Sequence, residues 1–220
     1  YDYYLFVDLL MKNKCIDINK PLIQHENSRT ALYLAVKKGN IDIIKFLLEN
    51  EKIDLNIINV SHEMKNSSNN ELEENWWVEK ESYSSKFVIH EETVLFLAIE
   101  EGNNEIIKLL LENPKTDLNK ISTVHYHVDK YQDDDKDDDK YEDTPLFLSM
   151  KKRNLDIFKL LLQNEKVDPN IMNKIYNIYT YETGGTEEEY ECTVFYEAVY
   201  DGNLEFAKIL IENEKVDPNI

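Results

Sequence analysis

Cysteine is nearly absent from this chain: Cys15 and Cys192 are the only two in 220 residues. They match no metal or redox spacing, which favours a reducing, intracellular and most simply cytoplasmic location. Glycine is almost as scarce, at five. No Walker A loop, nucleophile elbow or dinucleotide fingerprint is present, so the chain reads as no enzyme and as needing no cofactor and no metal. Positive charge is in the minority, 25 basic against 44 acidic residues for a net charge of -19. That balance argues against nucleic acid and against anionic membranes, and makes basic proteins the better-matched partners. Long apolar runs are missing, so no membrane span is expected, and no signal peptide is visible. The chain opens on Tyr1 rather than Met, so its natural start is expected to lie elsewhere.

What is present is a globular composition, 42% hydrophobic with 11% aromatics, and a repeat. The segment TALYLAVKKGNIDIIKFLLENEKIDLN at Thr30 returns from Thr93, Thr144 and Thr193 with its length unchanged. Full units therefore occupy 30–56, 93–119, 144–170 and 193–219, and residues 1–19 match the second half of a unit. Only the connections vary, over 57–92, 120–143 and 171–192. A module of constant length on connections of free length is the mark of stacked repeats, in which each unit buries the same faces against its neighbours. The first half unit and the apolar last helix, with Phe206, Ile209, Leu210 and Ile211, predict a piece of a longer array with neighbouring repeats or subunits at both ends.

Within the unit, Thr30 and its counterparts predict the N-cap of a first helix, with Pro145 at the first helical position of the third copy. Gly39, Gly102 and Gly202 predict a left-handed turn closing that helix, and Asn40, Asn103, Asn154 and Asn203 the caps of a second. Arg153 stands where the other copies have glycine; a retained turn would strain it by roughly 1 kcal/mol. Ile43, Ile44, Leu47 and Leu48 recur at helical spacing, so the second helix is amphipathic. Ala35, Ala98, Ser149 and Ala198 keep one position of the first helix small for close approach.

These residues resemble the ankyrin repeat: TPLF at Thr144, LLEN at Leu47, LLLEN at Leu109, and VDPN at Val167 and Val216. The family's histidine is Tyr33, Phe96, Phe147 or Tyr196 here, and its short connecting hairpin is much longer. The resemblance implies an all-α solenoid of helix-turn-helix units carrying extended β-hairpin fingers. It also implies a non-catalytic protein-interaction scaffold whose partners meet a concave face made of hairpins and first-helix ends. The preference for Asn, Lys, Ile and Tyr looks like the bias of an A/T-rich, protist-like genome.

Carried onto this sequence, the helix-end positions are Lys37, Lys38, Glu100, Glu101, Lys151, Lys152, Tyr200 and Asp201. Their alternating signs read either as a charge-coded groove or as a ladder of salt bridges between repeats. In the fingers, Gly184-Gly185 predicts a hairpin turn, and Val124, Tyr126 and Val128 share a face. Trp76, Trp77, Tyr126, Tyr131, Tyr176, Tyr179 and Tyr181 offer an aromatic contact surface, or else cross-strand packing between fingers. His125, His127 and Asp129 alternate on one arm, too widely spread to chelate well, and the tract Asp133 to Asp139 reads as a solvated charge run. The competing functional class is a structural component packed into a larger polymeric or cytoskeletal assembly.

Overall fold

A computed structural model of the chain describes residues 17–24, 26–65, 83–130, 137–179 and 186–220. Each repeat contributes a helix pair: α1 (Ala31–Lys37) and α2 (Ile41–Leu48), α3 (Val94–Glu100) and α4 (Asn104–Glu112), α5 (Pro145–Lys151) and α6 (Leu155–Gln163), then α7 (Val194–Tyr200) and α8 (Leu204–Ile211). Successive first helices pack on one another, as do α2, α4 and α6.

The predicted local chemistry is present. Thr30, Thr93, Thr144 and Thr193 each accept the backbone N–H three residues on. Asn40, Asn103 and Asn154 cap the second helices in the same way. Asn203 departs from the expectation, since its side chain makes no capping bond. Arg153 adopts the left-handed turn at φ 53°, beside 65°, 68° and 66° at Gly39, Gly102 and Gly202. The turn is retained because the first-to-second helix angle depends on it, and Arg153 bears the conformational cost. Ala35, Ala98, Ser149 and Ala198 are all buried, and every residue from Val94 to Ile99 is buried. A helix enclosed on all sides sits between two neighbours, which is what stacking does to the middle of an array.

The all-α description needs correcting. The connections form eight strands in one antiparallel sheet, ordered β1 to β8 along the chain: β1 (Leu22–Gln24), β2 (Asn27–Arg29), β3 (Asn59–Lys65), β4 (Tyr83–Glu92), β5 (Ser122–Lys130), β6 (Asp137–Asp143), β7 (Asn173–Tyr179) and β8 (Thr186–Cys192). The fingers are not separate hairpins. β4 pairs with β5, His90 opposite Val124, and β6 pairs with β7, Tyr141 opposite Ile175. Stacking brings consecutive fingers side by side, and unpaired backbone groups on their edges are then satisfied by the neighbour.

Sheet and helices are joined by a recurring bond. The backbone N–H of Thr30 donates to Asn59 Oδ1 at 2.8 Å, that of Thr93 to Ser122 Oγ at 3.2 Å, and that of Thr144 to Asn173 Oδ1 at 2.8 Å. Each is a first residue of the next finger, fully buried, holding the start of the preceding first helix.

Candidate functional site

The last strand of each finger runs straight into the threonine cap and first helix of its repeat. In the second and third repeats three positions are thereby brought together: three residues before the threonine, one before it, and seven after it. The first two lie on one face of the strand, two residues apart, and the third is on the last helical turn, folded back alongside. The three positions hold Asn27, Arg29 and Lys37 around Thr30; His90, Glu92 and Glu100 around Thr93; Tyr141, Asp143 and Lys151 around Thr144; and Tyr190, Cys192 and Tyr200 around Thr193.

In the third repeat the convergence is explicit. Lys151 Nζ donates to Asp143 Oδ2 at 3.0 Å and lies 4.4 Å from the centre of the Tyr141 ring. Tyr141 in turn meets Tyr126 edge to face at 5.7 Å. Asp143 is buried, and burial raises its pKa against the opposing pull of Lys151.

The second repeat has a carboxylate where the third has its lysine. His90 and Glu92 are buried, and the Glu100 carboxylate lies 3.5 Å from His90 Nδ1. Glu92 Oε1 accepts from the Tyr33 hydroxyl at 2.8 Å, and Ser61 Oγ lies 3.1 Å from the same hydroxyl. Burial, and after it the charge of Glu100, lifts the Glu92 pKa to about 7. Burial disfavours the charged form of His90, but Glu100, Glu92 and Glu63 outweigh it and raise the imidazole's pKa. Glu100 is held below the usual carboxylate range because its contact with His90 exceeds the burial penalty. Burial and the Glu92 charge raise the Tyr33 phenol, which therefore stays a donor.

Around this cluster the helix-end charges separate into two kinds. Lys37 Nζ donates to Glu101 at 2.8 Å, from the first repeat to the second, and to Glu63 at 3.0 Å. These bonds outweigh partial burial and hold its pKa above that of ordinary lysine. Lys151 is bound to Asp143, and Glu100 to His90. Lys38, Lys152, Tyr200 and Asp201 are exposed at their helix ends, and Lys38 and Lys152 form no ion pair with a described residue. Tyr200 stacks on Tyr196 at 6.1 Å.

Of the finger aromatics, Tyr126 packs within the sheet. Tyr176 and Tyr179 lie on β7, where the backbone alone is described. Trp76, Trp77, Tyr131, Tyr181 and the Gly184-Gly185 turn lie outside the described residues, as does Cys15. His125, His127 and Asp129 do alternate on β5. The residues that sequence reasoning passed over are Ser61, His90 and Glu92; Tyr33 was noted only at the position of the family's histidine. A repeat frame opened at the threonine excludes the final finger residues; opening it three residues earlier would have shown His90, Glu92 and Glu100 as one set.

A model of ankyrin repeats in three copies matches residues 7–173 and again 119–220. The chain belongs to the ankyrin-repeat family. Ankyrin repeats are protein-interaction modules and are typically non-catalytic. In this ankyrin array the described strands of the connecting hairpins form one shared sheet rather than isolated hairpins. No curated protein sequence matches the chain. Among the described residues no helix is long and apolar enough to cross a membrane.

Proposed function

We propose that this array is a non-catalytic scaffold that binds a protein partner across its first-helix ends and finger sheet. The observation that supports it most is the division among helix-end residues. Lys37, Glu101, Glu100 and Lys151 are consumed by intramolecular bonds, whereas Lys38, Lys152, Tyr200 and Asp201 remain open to solvent on the same row. This division supports a reading in which the first set forms the salt-bridge ladder and the second set faces the partner. The Tyr196–Tyr200 stack adds a rigid aromatic surface of the kind that gives large contact area at low entropic cost. The acid excess of the chain suits a partner with basic segments.

The test substitutes only open positions. Affinity capture with quantitative mass spectrometry compares the native chain with K38E and with Y200S. A partner recovered by the native chain and lost by either variant, with unchanged melting temperature, supports the reading. Equal recovery by all three overturns it.

A structural role in a larger assembly is the second reading. It is favoured by Tyr196, Val199, Tyr200, Leu204 and Ile211, all exposed on the fourth repeat, although Phe206 and Leu210 of the same helix pair are buried. Self-association rising with concentration in sedimentation would favour it over a monovalent scaffold.

A further inference from the structure

We propose that His90, Glu92 and Glu100 form a binding site for one divalent cation of the zinc class, clamping β4 to the first helix of its repeat. This is independent of what the array's outer surface binds.

Three observations carry it. One ligating atom from each of the three side chains lies within 4.8 Å of the others. Nε2 of His90 and Oε2 of Glu92 are buried without a hydrogen-bond partner, in residues only 7% and 1% exposed, and Nδ1 of His90 has only the Glu100 carboxylate, 3.5 Å away. Buried polar atoms left in that state are costly unless something fills the space between them. The third observation is the comparison with the next repeat, where the same three positions contain their own cation: Lys151 sits on Asp143. The second repeat has Glu100 in place of that lysine and His90 in place of Tyr141, so the same three positions hold three potential ligands and no ammonium group.

Charge agrees. With no ion bound, Glu63, Glu92, Glu100 and Glu101 face two lysines, Lys37 and Lys152, and the His90 imidazole, and Lys37 is already committed to Glu63 and Glu101. The unmet charge suits a dication. One imidazole with two carboxylates selects a borderline ion over Ca²⁺ or Mg²⁺, which prefer all-oxygen shells of higher coordination. Tyr33, donating to Oε1 of Glu92, leaves Oε2 for the metal and orients it from the preceding repeat. Glu100, with 18% of its side chain exposed, marks the entry side. The ion would act structurally, with solvent completing its coordination.

The experiment titrates the chelator-treated chain with Zn²⁺ by calorimetry, with Mg²⁺ as comparison, and follows the melting temperature in parallel. The expected result is a site of one equivalent that raises the melting temperature and ignores Mg²⁺. E100Q, on the entry side, and H90N should each weaken it at least tenfold, and Y33F about tenfold. The variant H125N/H127N, on a different strand, should leave it unchanged. E100Q keeps shape and volume, so it reports even if H90N fails to fold. Absence of a stoichiometric site overturns the proposal. So does a site that survives E100Q or is lost with H125N/H127N, since the binder would then lie elsewhere, on β5 or the acidic tract.

Discussion

Asn56 receives the backbone N–H of Asp117 on its side-chain oxygen at 2.8 Å and donates its amide to the Lys115 carbonyl at 2.9 Å. The same two bonds join Asn19 to the Asp54 turn, Asn119 to the Asp168 turn and Asn170 to the Asp217 turn. One asparagine per repeat thus satisfies two backbone groups of the next, and the Asp-x-Asn exit is a staple between units. Asn119→Ala should cost about 1–2 kcal/mol, two partly solvated hydrogen bonds, in urea unfolding. Asn219→Ala should cost close to nothing, because its amide donates only to Asp217 of its own turn. Equal costs at the two sites would refute the staple.

Arg153 tests the turn from the opposite side. At φ 53° its side chain strains a backbone that glycine adopts freely, so Arg153→Gly should stabilise the chain by about 0.5–1 kcal/mol, less than the full strain because glycine also loosens the unfolded state. Gly102→Ala should destabilise by about 1 kcal/mol. An added Cβ there meets nothing within 4 Å, so the penalty is conformational and not a clash. Thermal or urea unfolding of both variants checks the signs.

Cys192 should be inert in the native chain. It is buried, its thiol donates to Glu197 Oε2 at 3.5 Å, and burial together with the Glu197 charge pushes its pKa up to about 12. The thiolate is the reactive form and is almost absent at pH 8. Peptide-level mass spectrometry after iodoacetamide treatment at pH 8 should find Cys192 unmodified in native protein and labelled in urea. Rapid native labelling would show that the helix start opens readily.

Asp143 gives a pH dependence of determined sign. Burial raises its folded-state pKa, so between the ordinary carboxylate value near 4 and that raised value the folded chain binds more protons than the unfolded one. Its contribution to stability is complete below the unfolded value and is lost as pH rises through the folded one. The melting-temperature advantage of the native chain over D143N should therefore shrink as pH rises from about 4 toward neutrality. A constant difference across that range would contradict the burial argument. Glu197, buried and also raised, adds a contribution of the same sign; part of its shift comes from the Asp143 charge, so D143N removes that part as well and the comparison reads the two together.

The helical half of the molecule was legible from local chemistry. Thr30 and Asn40 cap through bonds spanning three residues, and Gly39 turns by its own backbone freedom; both depend on near neighbours in the chain. The fingers were legible as hairpins and no further. Whether Val124 faces a partner or another finger depends on its pairing with His90, a residue of the preceding connection. Sequence spacing also could not divide the helix-end charges. Lys37 and Lys38 are neighbours, yet only Lys37 points at Glu101, because a helix turns its successive residues about 100° apart.

Sequence alone determined the family, the constant unit, every cap but that at Asn203, and the strained turn at Arg153, since each follows from residue type at a repeated position. Tertiary structure alone decided that the fingers merge into one sheet, and that Glu92 receives the hydroxyl of Tyr33 from the preceding repeat. Stacking sets the distance between one repeat and the next, and that distance brings together strands and buried side chains whose residues stand far apart in the chain.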